Sequence, residues 1–369
     1  MNYIKTLAAS TILPMLMVAV SSCDNNLVFD SEGDCAPEQV VTKDFKPAVQ
    51  FVFKKHRQAL HSIGDRVADA FYQSVESVHL FVYDAESGNL VLDRTEVTSN
   101  LKSASELGIG MSTDRCYLPL DIEPGNYRMV VWGGLDENDH NNAFHLVEDG
   151  TKSAFNYAHC SVKFDDVSGR PVNSEKYQSL YHGSVANVEI KESNDRMQVV
   201  PVELTKNTND IAVWVQHTHK TFEEGEYEVV YTDANGSMHF DNNSMTRADL
   251  LEYHPHTTSL LTTDTEYNGA QMQTGALVAH ISTARLMATN QNDAKLEVRN
   301  KKDGRTVFSI PFIKYVMQLQ TFTNDQQYYL DCEDTYNCSF YLSGDDGLWA
   351  PYQIIINNWV KVPDQNEEI

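Results

Sequence analysis

The sequence predicts an all-β protein, two tandem β-sandwiches behind an export signal. Three observations carry this. Short stretches of alternating apolar and polar residues follow one another from Val49 to Val362, the period that lays one strand face on a core. Polar turns stand between them at sandwich-like spacing, and no heptad or solenoid period competes. The chain also holds 18 Tyr, 15 Phe and 4 Trp with recurrent β-branched runs, enough to fill large cores.

The export signal occupies residues 1–22. Lys5 gives a positive start, Leu7 to Val20 is almost wholly apolar or small, and Val20-Ser21-Ser22-Cys23 follows. An apolar residue, two small residues and then Cys is the pattern at which a diacylglycerol joins the thiol, so Cys23 is the expected lipidation site. The apolar run of about 14 residues is too short for the roughly 20 that span a bilayer. Several acyl chains, at about 0.8 kcal/mol per buried CH₂, make a stable anchor. That lipid is the only cofactor expected. Residues 23–47 are polar and acidic, with Pro37 and Pro47, and read as a tether.

Domain one is expected over residues 48–205. Val49, Phe51 and Phe53 alternate, and Val67, Ala70, Phe71, Ser74 and Val75 suit a short helix within residues 63–75. Residues 77–84 and 89–94 flank Glu86-Ser87-Gly88 as a hairpin. Strands over 116–122 and 126–132 flank a tight turn at Glu123-Pro124-Gly125, and 197–204 is a further strand. A polar turn, Thr205-Lys206-Asn207-Thr208-Asn209, marks the boundary. Domain two, 206–369, carries strands over 210–216, 226–231, 276–282, 295–299, 305–313, 337–342 and 353–362.

The formal net charge is −24, and Lys5 is the only charge in the signal, so the mature chain is more negative still. Such a field argues against nucleic acid and against anionic lipid headgroups. Beyond Cys23 stand five cysteines, an odd number: Cys35, Cys116, Cys160, Cys332 and Cys338. Export permits disulfides. Cys116–Cys160 and Cys332–Cys338 are the expected pairs, with buried thiols as the alternative. No Cys-x-x-Cys occurs, which argues against a zinc ribbon.

Little points to catalysis. His217-Thr218-His219 and His254-Pro255-His256 have the spacing that puts two imidazoles on one strand face, but no third ligand completes a site. The acidic loop 136–142 lacks the Gly and Glu that a helix-loop-helix calcium site needs. There is no nucleophile elbow, zincin motif or phosphate loop. No enzyme and no metal are expected. The C-terminal run 351–362 has three consecutive Ile and two apolar faces. It is either a central strand of its own sandwich or, through Ile354, Ile355, Ile356, Trp359 and Val360, a strand that completes a sheet in another subunit.

Several stretches together resemble one family. They are Ala68-Asp69-Ala70-Phe71 followed by Val75-Glu76-Ser77-Val78-His79-Leu80-Phe81-Val82-Tyr83-Asp84, then Leu118-Pro119-Leu120-Asp121-Ile122-Glu123-Pro124-Gly125-Asn126-Tyr127 running into Val130-Val131-Trp132-Gly133-Gly134. Leu180-Tyr181-His182-Gly183, Val202-Glu203-Leu204-Thr205-Lys206-Asn207-Thr208-Asn209-Asp210-Ile211 and Ile354-Ile355-Ile356-Asn357-Asn358-Trp359-Val360 complete the set. In that order, behind a lipobox, they resemble the FimB-type minor fimbrial subunits of Bacteroidia. The resemblance implies transthyretin-like Greek-key sandwiches and a surface-exposed lipoprotein at the outer membrane. It implies a fimbrial shaft subunit or other fimbrial subunits as partners, joined by strand complementation, and no catalytic residues. It leaves anchor, length regulator or tip open. The rival is a glycan-binding lipoprotein of a nutrient-uptake system, with Trp132, Trp214 and Trp349 stacking on sugars.

Overall fold

The computed structural model describes residues 46–53, 71–135, 143–146, 160–193, 196–218, 220–242, 250–267, 270–318, 325–344, 348–357 and 359–361. The first strands are β1 (Ala48–Phe53), β2 (Ser77–Asp84), β3 (Leu90–Val97), β4 (Lys102–Ser103), β5 (Arg115–Pro119), β6 (Gly125–Gly133), β7 (Phe144–Leu146), β8 (Cys160–Val162), β9 (Asp165–Val167), β10 (Arg170–Asn173), β11 (Tyr181–Ile190) and β12 (Val199–Lys206). Then come β13 (Thr208–His217), β14 (Tyr227–Asp233), β15 (Ser237–Met238), β16 (Leu251–Tyr253), β17 (Thr257–Tyr267), β18 (Ala270–Ala284), β19 (Lys295–Asn300), β20 (Thr306–Ile310), β21 (Thr335–Ser343), β22 (Ala350–Ile356) and β23 (Trp359–Lys361). Short helices lie at α1 (Phe71–Ser74), α2 (Phe312–Gln318) and α3 (Gln326–Cys332).

The chain is a β-sandwich protein, as its sequence predicts. The first sandwich is one ribbon of strands, β3-β2-β6-β11-β12-β1-β5-β4, folded over at β11/β12. That corner is held by only two residue pairs, Tyr181 with Lys206 and His182 with Thr205. Its two halves face each other across Val49, Phe51, Val78, Leu80, Val82, Leu118, Met129, Val131, Val202 and Leu204, all buried. Gly183 sits at the fold, where a Cβ would stand 2.7 Å from the Glu203 carbonyl oxygen and from Val202 Cγ1, so a side chain there would push the halves apart.

The second core packs β20-β19-β14-β16-β10-β9 against β17-β18-β13-β21-β22-β23. Strands on both sides of residue 206 contribute, for β10 pairs with β16 and β8 with β15. The outer face of β2 and β6 joins it through Phe81, Tyr83, Val130 and Trp132. Strand β2 is therefore buried on both faces. That explains the near-continuous apolar run in its sequence, where β3, at the edge, alternates strictly.

Some elements differ from expectation. The turn at Glu123-Pro124-Gly125 links β5 to β6, but these are not paired: β5 lies beside β1 and β4, and β6 between β2 and β11. The strand expected over 305–313 stops at Ile310. Proline has no N–H for a ladder, and Tyr315 N–H donates to the Pro311 carbonyl, opening α2. The single strand expected over 353–362 is replaced by two, β22 ending at Ile356 and β23 over Trp359–Lys361, reversed at Asn357, whose φ is +47°. Asn tolerates that conformation, and its amide fixes the turn by accepting from Asn337 N–H (2.8 Å) and donating to the Thr335 carbonyl (3.0 Å). Of the expected helix over 63–75, residues 63–70 lie outside the described residues.

The polar turn at 205–209 is a buried joint. Lys206 ends β12, Thr208 begins β13, and Asn207 between them is fully buried. Burial is tolerable because the groups are paired. Asn207 N–H donates to the Leu180 carbonyl (2.6 Å), its amide exchanges hydrogen bonds with Asn242, and Asn209 Nδ2 donates to the Ala284 carbonyl (3.2 Å). Lys206 Nζ meets Asp334 Oδ2 at 2.8 Å. Arg285 donates to the Asn242 carbonyl and, twice at 2.7 Å, to Asp331.

Two buried titratable groups make opposed contributions to stability. His182 donates from Nε2 to the Phe240 carbonyl (2.8 Å), and burial pushes its imidazole down to about 4. Asp233 accepts from Tyr231 Oη, Ala234 N–H and Asn290 Nδ2, each at 2.7 Å, yet burial pushes its carboxyl up to about 6. The lowered imidazole loses stability as pH falls from 6.5 towards 4. The raised carboxyl gives stability below 3.8 that is lost as pH climbs through 6. Over that window the slopes offset. Between pH 7 and about pH 4.5, His182→Gln should gain about 2 kcal/mol relative to the parent and Asp233→Asn should lose about 2 kcal/mol. Urea denaturation at the two pH values checks this, and variants that track the parent would refute it.

Candidate interaction surfaces

Cys23, Cys35, residues 1–45, the acidic loop 136–142 and His219 lie outside the described residues. No described helix is long and apolar enough to cross a membrane.

The expected cysteine pairs are not formed. Cys116 lies in the first core and Cys160 in the second; Cys338 points into the second core from β21, and Cys332 ends α3. Burial pushes the Cys160 and Cys338 thiols up, so both are poor thiolates. They pack as small apolar residues.

His217, His254 and His256 belong to no metal-ligating cluster among the described residues. His217 is buried at the end of β13 against Trp349, with ring centroids 5.0 Å apart. His254 and His256 lie in the connection from β16 to β17, where Pro255 interrupts the ladder. His254 faces Glu252 (3.2 Å) and Glu228 (3.7 Å). Among the described residues, no three His, Cys, Asp or Glu side chains converge as metal ligands.

Three surface features remain. The first is the C-terminal hairpin, β22–β23. Ile354 and Ile356 are core residues and Ile355 is half-buried, whereas Trp359 (48%) and Val360 (56%) are exposed on the edge strand. The residues expected to act together in assembly thus split into a buried and an outward set. The second is a charged face on β10, β16 and β19. There Glu252 receives Arg299 (2.9 Å) and Arg170 (3.2 Å), and Arg299 also holds Glu297 (2.7 Å). Hydrogen bonds from Arg299 and His254, and the charges of Arg299 and Arg170, hold the Glu252 carboxyl below its ordinary value despite burial, which acts first and upward. This lattice is self-neutralising. The third is a cleft of about 520 Å³ between residues 222–228 and the start of β17, floored by Phe222, Tyr227 and Leu277. Sequence reading missed it because its two walls are far apart in the chain. Of the tryptophans weighed as sugar platforms, Trp132 and Trp349 are buried and Trp214 is half-buried.

The sequence pattern of the family described as fimbrillin-A associated anchor proteins Mfa1 and Mfa2 matches residues 27–364. Among solved structures, the chain is similar to a Bacteroides thetaiotaomicron protein proposed to be an adhesin (TM-score 0.64, 24% identity, covering 86% of this chain and 97% of that one). It is similar to a second protein of that organism, proposed to bind polysaccharide (TM-score 0.66, 20% identity, 88% and 99%). It is also similar to the fimbrial anchor protein Mfa2 of Porphyromonas gingivalis (TM-score 0.58, 17% identity, 85% and 98%). At these identities the likeness is one of fold. No curated protein sequence matches the chain.

Proposed function

The chain belongs to the family of fimbrillin-A associated anchor proteins, and from that premise we propose that it holds or terminates a fimbrium at the outer membrane through a lipid on Cys23. The observation that carries this reading is the family match over nearly all of the mature chain, beginning four residues after the lipobox cysteine. The role is a non-catalytic one, a link between lipid and fimbrial subunits. The exposed side of β23, with Trp359 and Val360, is the part of the C-terminal run we assign to contact with a fimbrial subunit. An added strand there gains main-chain hydrogen bonds, with side-chain fit setting specificity.

The test is the partition of assembled fimbriae between cells and medium in a strain carrying Cys23→Ala. Fimbriae shed into the medium are the expected result. Fimbriae retained on the cells in wild-type amount would reject the anchoring role of this lipid. The fold shared with a protein proposed to bind polysaccharide favours a second reading, glycan binding. A glycan array on the full chain separates the two.

A further inference from the structure

We propose that β17 is a strand-accepting edge, which binds an extended, basic segment of another polypeptide and seats one of its side chains in the cleft beside it. The proposal does not depend on the anchor reading. Among the described residues, strand β17 ends its sheet on the side away from β23. It runs eleven residues, Thr257–Tyr267, and pairs with β18 throughout without a break in register.

Other edges in the described residues are protected in the usual ways. β3 carries Asp93, Arg94 and Glu96 and a bulge against β2. β4 has two residues, β9 has three with two Asp, and β23 has three. β20 has five and a shifted register against β19. β17 is long and in unbroken register, contains no Lys, Arg or Pro, and carries its two charges, Asp264 and Glu266, only in its last four residues, leaving the seven from Thr257 to Thr263 uncharged.

The direction of its main chain can be read from its partner strand. Gly275 N–H donates to the Lys220 carbonyl (2.8 Å), on the side of β18 away from β17. Thr262 stands opposite Gly275 in the ladder. In an antiparallel pair such a residue turns its own N–H and C=O outward. By the period of two, Thr258, Leu260, Thr262 and Asp264 present theirs to the open edge, and Thr258 and Thr262 are exposed.

The cleft supplies specificity. Thr258, Ser259 and Leu260 of the edge line it directly. Its floor is built: Phe222 and Tyr227 meet edge to face at 5.7 Å, and Tyr227 leans on buried Trp349 at 4.8 Å. Around that floor stand Glu223, Glu224 and Glu228, with Lys301 and with His254, which lies 3.7 Å from Glu228. An apolar floor with an acidic rim fits the aliphatic stem and cationic head of Lys or Arg. A second copy of this chain is a poor occupant, since it is itself strongly acidic and its β17 has no cation to offer.

The experiment is selection of random ten-residue peptides, displayed on phage, against the immobilised full chain. Expected are binders that carry Lys or Arg among β-branched residues. They should slow amide exchange in residues 257–263 and lose about tenfold or more in affinity for Thr262→Pro and for Glu224→Lys. Thr262→Pro removes an outward donor and leaves the β18 ladder in place. The exposed Glu224→Lys keeps the test decisive if the proline variant folds poorly. No selectable binder, binders indifferent to both changes, acidic binders, or protection at another edge would each overturn the proposal.

Discussion

Arg285→Ala is expected to cost about 3–5 kcal/mol of folding stability, because it strands a buried carboxylate. Asp331 is 5% exposed and Arg285 8%. The guanidinium spans the carboxylate with Nε and Nη2, both at 2.7 Å, and donates its third nitrogen to the Asn242 carbonyl. With Arg285 gone, Asp331 keeps Gln327 Nε2 at 3.0 Å, a neutral donor facing a charge. The loss spreads further. Asn242 exchanges hydrogen bonds with Asn207, the single residue between β12 and β13, so Arg285 also holds the segment that closes the joint. Urea denaturation of the full chain measures the cost. The double variant Arg285→Ala, Asp331→Ala should lose less than the sum of the single losses, since each single change leaves a charge that the double does not. A loss under about 1 kcal/mol for Arg285→Ala would show that water reaches the site and that the joint does not rest on this pair.

The sequence made legible what one-sided burial writes into it. β3, β13 and β21 each lie with one face on a core, and their alternation marks β13 and β21 within two residues and β3 within three. What it hid had local causes. The apolar run Ile354 to Val360 conceals a reversal that rests on one Asn at positive φ. Asn207, Thr208 and Asn209 read as a surface turn because polar residues usually are exposed, yet here their hydrogen bonds go to segments up to 75 residues away. β17 escaped because Thr-rich sequence reads as polar. Its one signal is the hairpin dipeptide Asn268-Gly269 that follows it in the chain. The cysteine pairing failed for the reason that spacing does not fix connectivity: Cys116 and Cys160 face different cores.

A pair of tryptophan variants separates what the fold needs from what a partner meets. Trp132 is fully buried on β6, its ring edge-on to His182 at 4.6 Å, in the core that joins the first sandwich to the second. Trp132→Ala should cost about 3–5 kcal/mol, the transfer of a large aromatic plus the cavity it leaves. Any loss of fimbriation in that variant would follow from unfolding, so thermal denaturation must accompany the assembly assay. Trp359 is the opposite case, half-exposed on an edge strand of three residues. Trp359→Ala should stay within about 0.5 kcal/mol of the parent, and yet weaken capture of fimbrial subunits if β23 is the contact. Normal stability with normal capture would clear β23 of that role and leave the fimbrial partner to another surface. A sugar platform faces the same constraint: a glycan can stack only on what solvent reaches, and burial removes Trp132 and Trp349 from that set.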